Sequence, residues 1–137
     1  MNTALKPAKL AMELLSHGHS DVGYVRETNE DSFLNRPDLG IFAVSDGVGG
    51  LPYGALASKL AVQNYEAFFN HNPNLDSLDT FKSIFFKIHQ NVLSCGNIVG
   101  GQNGIGTTFS GIKFLENSFV YAHVGDSCIL HFTEANG

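Results

Sequence analysis

Six carboxylate side chains and both arginines of the chain fall between positions 21 and 46. The carboxylates are Asp21, Glu27, Glu30, Asp31, Asp38 and Asp46, and the arginines are Arg26 and Arg36. Carboxylate oxygens bind hard divalent cations, and the forked guanidinium of arginine binds phosphate or carboxylate groups. The alternative is a charged surface that only faces solvent, and the placement of single residues argues against it.

Asp46 is the best-placed of these carboxylates. It follows the apolar run IFAVS, which is typical of a buried strand, and it precedes GVGG. A carboxylate in such a place is costly to desolvate unless a positive charge compensates, and a divalent ion is a common compensation. The glycines at 47, 49 and 50 fit a loop whose backbone closely approaches an ion or a phosphate. A capping role on the next helix is the alternative.

Glu30 and Asp31 are adjacent in NEDSF, and Arg26 stands four residues before Glu30. Neighbouring side chains of a strand point to opposite faces, so one of the two acids can face an ion directly and the other can act through a metal-bound water. Arg26 either captures a phosphate or forms a structural salt bridge with Glu30 or Asp31. The residues alone leave both roles open.

A third polar cluster, HVGDS, follows the apolar run FVYAHV near the end of the chain. Alone, Gly125 and Asp126 predict only a hairpin turn. His123 lies within the strand pattern, where a histidine is more often a hydrogen-bonded buried residue than a metal ligand. The other histidines show no ligand spacing, and the pair at 17 and 19 is weak support for a metal.

The composition predicts one folded domain over residues 1–137, with 43% apolar residues and a net charge of -5. This negative charge argues against a nucleic-acid or anionic-membrane partner. Neither a signal-peptide core nor the roughly 18 apolar residues of a membrane span is present, so we expect a cytoplasmic protein. Cys95 and Cys128 match no disulfide framework or zinc motif, and we expect both to be reduced.

Hydrophobic periodicity and turn residues predict strands on either side of two consecutive helices. The predicted strands are 11–19, 32–36, 41–45, 107–114, 118–124 and 128–132, and the predicted helices end near Asn70 and Gly96. Pro37 to Gly40 supply the turn of a hairpin. Consecutive helices disfavour a doubly wound parallel sheet. We therefore expect an α+β domain with local antiparallel pairing and both helices on one sheet face.

Four motifs in series carry a family resemblance: GYVRETNEDSF, GIFAVSDGVGG, GIGTTFSGIKF and VYAHVGDSCILHF. In order and rough spacing they resemble the PPM-type (type 2C) metal-dependent protein serine/threonine phosphatases in their bacterial form. The resemblance implies a four-layer α-β-β-α sandwich with two ions, Mn²⁺ or Mg²⁺, at one edge of the paired sheets. It also implies a phosphoprotein substrate.

The same resemblance implies roles for single residues. Asp46 resembles the carboxylate that bridges the two metals, and Gly47 resembles the residue whose backbone carbonyl binds one of them. Asp126 resembles the acidic residue of a turn near the metals.

On the substrate side, Arg26 resembles the arginine that grips the phosphate. Glu30 and Asp31 resemble the acidic pair near the metals, one of which holds metal-bound water. A metal-activated water needs no protein nucleophile, and the sequence shows no convincing serine or cysteine nucleophile motif.

The chain departs from the family in three places. Val48 stands where many eukaryotic members have a histidine, and Cys128 stands where the family usually has an arginine. The family's later metal-binding aspartates have no counterpart, so we expect a partial domain, incomplete at its C-terminus and able to pair with a missing half or another chain. Two alternatives stay open: a non-catalytic regulatory or binding module, and a different metal-assisted phosphoesterase.

Overall fold

The computed structural model describes residues 10, 13–48, 53–99 and 104–134. In these ranges the chain forms four strands and two helices. The strands are β1 (Asp31–Arg36), β2 (Ile41–Asp46), β3 (Phe109–Phe114) and β4 (Phe119–Val124), and the helices are α1 (Gly54–His71) and α2 (Leu78–Val99). The chain order is β1-β2-α1-α2-β3-β4, which confirms the predicted α+β class.

The four strands form one antiparallel sheet in the order β1-β2-β3-β4. The strands β2 and β3 are neighbours although both helices lie between them in the chain, so the helical segment returns the chain beside the strand it left. Ser45 pairs with Ser32 across one edge of β2, and Val44 pairs with Ser110 across the other. The central position predicted for β2 is therefore confirmed.

The predicted hairpin turn joins β1 to β2 at residues 37–40. Gly40 donates its N–H to the carbonyl of Pro37 at 3.1 Å and has a φ of 62°, a conformation that favours glycine. Lys113 of β3 is buried beneath the turn, where its Nζ donates to the carbonyl of Leu39 at 2.6 Å and lies 5.3 Å from the centre of the Phe69 ring. Burial lowers the pKa of this amine.

Both helices pack on one face of the sheet. On β2, Ile41 and Ala43 point to this face and are buried. The helices contribute Ala57, Ala61, Val62, Tyr65, Phe69, Phe81, Ile84, Ile88 and Val92 to the same core. The opposite face carries Phe33, Val44 and Tyr121, which are 41%, 48% and 58% exposed. The described residues thus form a sheet layer and a helix layer, and the other two layers of the expected sandwich stay a prediction.

Two predicted strands are wrong in the described residues: neither 13–19 nor 128–132 pairs with the sheet. Residues 13–19 instead pass over the face opposite the helices. There Gly18 packs against the ring of Phe33, and Ser16 donates to Asn35 Oδ1 at 2.7 Å. Residues 128 and 129 line a cavity of about 370 Å³ over the same face. Segments that meet side chains instead of a free strand edge find no ladder of hydrogen bonds. Positions 11 and 12 lie outside the described residues.

In the part of the chain that the structure describes, no helix combines the length and apolar character needed to cross a bilayer. Cys95 is half-buried and Cys128 is exposed, and both are free thiols.

Tyr65 of α1 occupies the centre of the core. Its ring makes edge-to-face contacts, at centroid distances of 5.1 to 6.5 Å, with Phe69, Phe81, Phe85 and Phe109. The hydroxyl is buried and has no hydrogen-bond partner among the described residues. Burial raises the pKa of this hydroxyl well above its ordinary value.

Replacing Tyr65 with phenylalanine should stabilise the fold by about 1 kcal/mol, because an unpaired buried hydroxyl costs roughly 1–3 kcal/mol. Urea denaturation measures the free energy of unfolding. The matched control is Tyr121→Phe, which removes a hydroxyl from a 58% exposed side chain and should change stability by less than about 0.5 kcal/mol. A loss of stability in Tyr65→Phe would show that the hydroxyl has a partner.

Candidate metal centre

Two carboxylates face each other where β1 begins and β2 ends. The register pairs Asp31 directly with Asp46, so both side chains leave the sheet on the face opposite the helices. Directly opposed residues of an antiparallel pair have Cβ atoms about 4.5–5.5 Å apart. Two negative charges at this spacing repel each other. A divalent cation between them would attract both carboxylates and outweigh their mutual repulsion.

The pKa of Asp31 is raised above its ordinary value, by burial first and by Asp46 second. Burial raises this pKa most, and the hydrogen-bonding contact with Asp46 and the negative charge of Asp46 raise it further. The nearby Arg26 lowers the pKa, and Glu30 raises it. Asp31 is therefore harder to ionise than an ordinary aspartate, and a bound divalent cation would relieve that condition.

The turn before β1 places the first pair of acids. Asn29 Oδ1 accepts a hydrogen bond from the N–H of Asp31 at 2.9 Å, and Asn29 Nδ2 donates to Ser20 Oγ at 2.7 Å. The carbonyl of Glu30 accepts from the N–H of Gly47 at 3.1 Å. The turn is thereby tied to the residue that follows β2.

Gly47 and Gly54 touch where β2 leads into α1. A Cβ on Gly47 would lie 2.4 Å from the carbonyl of Gly54, and a Cβ on Gly54 would lie 2.6 Å from Glu30 Oε1. Only glycine allows this approach of helix to strand. The Glu30 carboxylate consequently lies beside the first residue of α1, where the helix dipole favours negative charge.

Arg26 lies at the rim of the site. Its Nη1 donates to Glu30 Oε2 at 3.5 Å, and its side chain is 58% exposed. The salt bridge that the sequence left open as the alternative role therefore exists, but a long and exposed ion pair of this kind is weak. No other hydrogen bond of the guanidinium occurs among the described residues, so its remaining donors are available to an anion.

A cavity of about 490 Å³ joins most of these groups. It is lined by Arg26, Glu30, Asp46, Gly47, Val48, Thr108 and Asp126. Five of the six candidate residues thus share one cavity, and the sixth, Asp31, lines an adjoining cavity with Arg26, Glu30 and Asp46. The structure brings all six to one end of the sheet, while the role of each stays a prediction.

The oxygen donors at this end of the sheet are of the kind that suits a hard divalent cation, and they are too few to complete a coordination sphere. The carboxylate of Asp46 and the backbone carbonyl of Gly47 are oxygen donors of the kind that Mn²⁺ and Mg²⁺ take. Among residues 13–48, 53–99 and 104–134, no three His, Cys, Asp or Glu side chains are close enough to form a complete ligand cluster. Further ligands, from water or from other protein groups, would have to complete the sphere.

The sequence assigned no role to Thr107 and Thr108, although both lie in GIGTTFSGIKF. The N–H of Thr108 donates to the carbonyl of Asp46 at 2.8 Å, and the N–H of Asp46 donates to Thr108 Oγ1 at 3.0 Å. Thr107 Oγ1 also donates to the carbonyl of Asp46, at 2.8 Å. Adjacent hydroxyl residues at the start of the predicted strand 107–114 were the available signal, but the pairing of this strand with β2 could not be deduced from it.

The turn that carries Asp126 is not a hairpin, so that prediction is wrong. Gly125 has a φ of 112° and packs against Thr108, and no strand follows it in the described residues. The chain after β4 therefore turns toward the end of β2. His123 bonds through Nδ1 to Ser110 Oγ at 2.8 Å and through Nε2 to the carbonyl of Gly125 at 2.9 Å. It is hydrogen-bonded as expected, but exposed instead of buried.

Two opposed carboxylates, a close contact between Gly47 and Gly54 and an exposed arginine lie together at one end of the sheet, an arrangement that suits a metal ion and a phosphate group. A sequence model of the family described as Protein phosphatase 2C matches residues 19–136, and the chain belongs to this family. The resemblance drawn from the four motifs is confirmed.

Curated relatives are bacterial phosphatases. Protein phosphatase PhpP of Streptococcus pneumoniae is 30% identical over 125 residues, which cover 80% of this chain and 47% of PhpP. Serine/threonine protein phosphatase PstP of Mycobacterium tuberculosis is 29% identical over 120 residues, which cover 88% of this chain and 23% of PstP. The chain spans about half the length of PhpP.

Solved structures show the same fold. A crystal structure of M. tuberculosis PstP matches with a TM-score of 0.67 at 29% identity, over 79% of this chain and 45% of that one. A second structure, of the PstP catalytic domain, contains 2 manganese ions and matches equally well, with a TM-score of 0.67. PppA of Pseudomonas aeruginosa matches with a TM-score of 0.63 at 27% identity, over 79% of this chain and 46% of that one.

Asp46→Asn should raise the stability of the metal-free chain at pH 7. A carboxyl group whose pKa is raised on folding binds protons more tightly when folded, so its ionisation at neutral pH costs stability. Removing the charge of Asp46 lowers the pKa of Asp31 and with it this cost.

Urea denaturation in EDTA measures the stability, and an NMR titration of Asp31 measures its pKa, which should fall in the variant. Glu116→Gln, at an exposed carboxylate between β3 and β4, is the control for charge and should leave both quantities nearly unchanged. A less stable Asp46→Asn with an unchanged Asp31 pKa would contradict the repulsion.

Proposed function

We propose that the protein containing this chain hydrolyses phosphoserine and phosphothreonine in phosphoproteins with two divalent ions, Mn²⁺ or Mg²⁺. The observation that carries the proposal is the pairing of Asp31 with Asp46 beside a cavity that also holds Arg26. Family membership and the names of the relatives support the reaction class. The manganese ions of the PstP structure support the metal requirement.

Asp46 and Gly47 would supply metal ligands through a carboxylate and a backbone carbonyl. Asp126 lines the same cavity and would supply a second carboxylate. Divalent ions bound there would neutralise the charge of the phosphate and make water a better nucleophile at neutral pH. No serine or cysteine nucleophile is then needed.

Arg26, Glu30 and Asp31 would act on the substrate and on water. The free donors of Arg26 would hold phosphate oxygens in a forked geometry that fixes their orientation. Asp31 and Glu30, both lining the cavity that adjoins Asp46, would accept hydrogen bonds from water and orient it toward phosphorus. Orientation of this kind lowers the entropic part of the barrier.

The chain spans about half the length of PhpP, and its described residues hold an incomplete set of metal ligands. The complete active site would therefore need further protein groups. Pairing with the remainder of such a domain, or with another chain, would add ligands and would cover the apolar sheet face in the manner of a four-layer sandwich. A role in cytoplasmic signalling goes with this proposal. The incomplete ligand set also favours a second candidate, a non-catalytic module that binds a partner through the same face.

Asp46→Asn should weaken the binding of Mn²⁺ by at least about tenfold, because affinity falls with the number of charged ligands. Calorimetric titration of the purified chain with Mn²⁺ measures the binding. Wherever the wild-type protein hydrolyses a phosphothreonine peptide in the presence of Mn²⁺, the variant should not. Asp79→Asn is the charge-matched control, and equal Mn²⁺ affinity in wild type and Asp46→Asn would reject the metal assignment.

Arg26→Ala should weaken the Mn²⁺-dependent binding of a peptide with a non-hydrolysable phosphonate analogue of phosphoserine by about tenfold, the cost of about 1.4 kcal/mol of lost charged hydrogen bonds. Mn²⁺ affinity should stay close to that of the wild type, since arginine is not a ligand. Arg26→Lys keeps the positive charge but loses the forked pair of donors, so its affinity for the peptide should lie between those of the wild type and Arg26→Ala.

A competition experiment separates the two reaction classes. A nucleotide that competes better than the peptide would favour a different phosphoesterase.

A further inference from the structure

Thr108 binds both sides of the backbone of Asp46. Its N–H donates to the carbonyl of Asp46 at 2.8 Å, and its Oγ1 accepts from the N–H of Asp46 at 3.0 Å. The residue is only 8% exposed, so water does not compete freely for these bonds. The backbone of the acid cannot turn without breaking both of them.

The same side chain contacts the turn that carries the second acid. Thr108 Oγ1 lies 2.9 Å from Ser127 Oγ, within hydrogen-bonding distance. On the other side of Asp126, Gly125 packs so closely against the threonine that a Cβ on it would lie 2.7 Å from Thr108 Cγ2. Both neighbours of Asp126 in the chain therefore rest on Thr108.

We propose that Thr108 is a positioning residue that sets the separation of Asp46 and Asp126 and so tunes the affinity of the site for divalent ions. The inference rests on the proposed function, because it takes both aspartates as metal ligands. The hydroxyl of Thr108 bonds to Asp46 and Ser127 together, since a hydroxyl can accept one hydrogen bond while it donates or accepts another. The methyl group packs against Gly125, so each branch of the side chain has its own contact.

Two substitutions separate the branches. Thr108→Val keeps the shape and the methyl contact with Gly125 but removes the hydroxyl, whereas Thr108→Ser keeps the hydroxyl and removes the methyl group. A merely structural threonine would change the free energy of unfolding without changing metal affinity selectively. A positioning threonine would change metal affinity and the protection of the Asp46 amide.

Calorimetry with Mn²⁺ and amide hydrogen exchange of the metal-free chain form the test. Thr108→Val should weaken Mn²⁺ binding by about tenfold or more, the range found when a residue that orients a ligand is lost. Its Asp46 amide should exchange at least about tenfold faster, because the N–H loses its acceptor. Thr108→Ser should restore most of the affinity and the protection, and thermal unfolding should show both variants folded.

Weak Mn²⁺ binding and fast Asp46 exchange in Thr108→Val, with rescue by Thr108→Ser, support the inference. Wild-type affinity in Thr108→Val while Asp46→Asn loses binding overturns the inference and leaves the proposed function standing. Equal losses in the valine and serine variants overturn it as well, because the hydroxyl would not be the cause. A wild-type chain without Mn²⁺ affinity overturns the inference, because Thr108 would then have no affinity to tune.

Discussion

The repulsion between Asp31 and Asp46 is the constraint on which the site depends. An antiparallel register puts them opposite each other, and burial, together with the hydrogen-bonding contact and the charge of Asp46, raises the pKa of Asp31. A pair of like charges points to function, because ion pairs that only stabilise a fold join opposite charges. Like-charged pairs with shifted pKa values concentrate at functional sites, where a ligand of opposite charge compensates them.

The surrounding contacts hold this unfavourable pair in place through backbone atoms. Hydrogen bonds from Thr107 and Thr108 fix the backbone of Asp46, and Asn29 fixes that of Asp31. Since these bonds use the backbone atoms of the two acids and none of their carboxyl atoms, they leave the carboxylate oxygens available to a ligand. Rigid support from strands and a tight turn gives such a site more precise geometry than flexible loops could.

Much of this arrangement could be predicted from the sequence, because local patterns determine local structure. The buried strand IFAVS, the turn ending at Gly40 and the two amphipathic helices all follow from periodicity and turn chemistry. The errors lie where tertiary contacts decide: residues 13–19 have a strand-like pattern but lie over side chains, and Gly125 packs against a threonine distant in sequence. The hydrogen bonds from Thr108 to the backbone of Asp46 could not be predicted from the sequence for the same reason, because they depend on the pairing of β2 with β3.

The contact between Gly47 and Gly54 has an evolutionary consequence. Neither glycine brings a side chain to the cavity, yet an added methyl group at Gly47 would push α1 away from the end of the strand, and one at Gly54 would displace the carboxylate of Glu30. Substitutions at these two positions are thus opposed by a lack of space for a side chain and not by the loss of a reactive group. A library of random variants screened for folding alone would tolerate new side chains at the acids more readily than at these glycines.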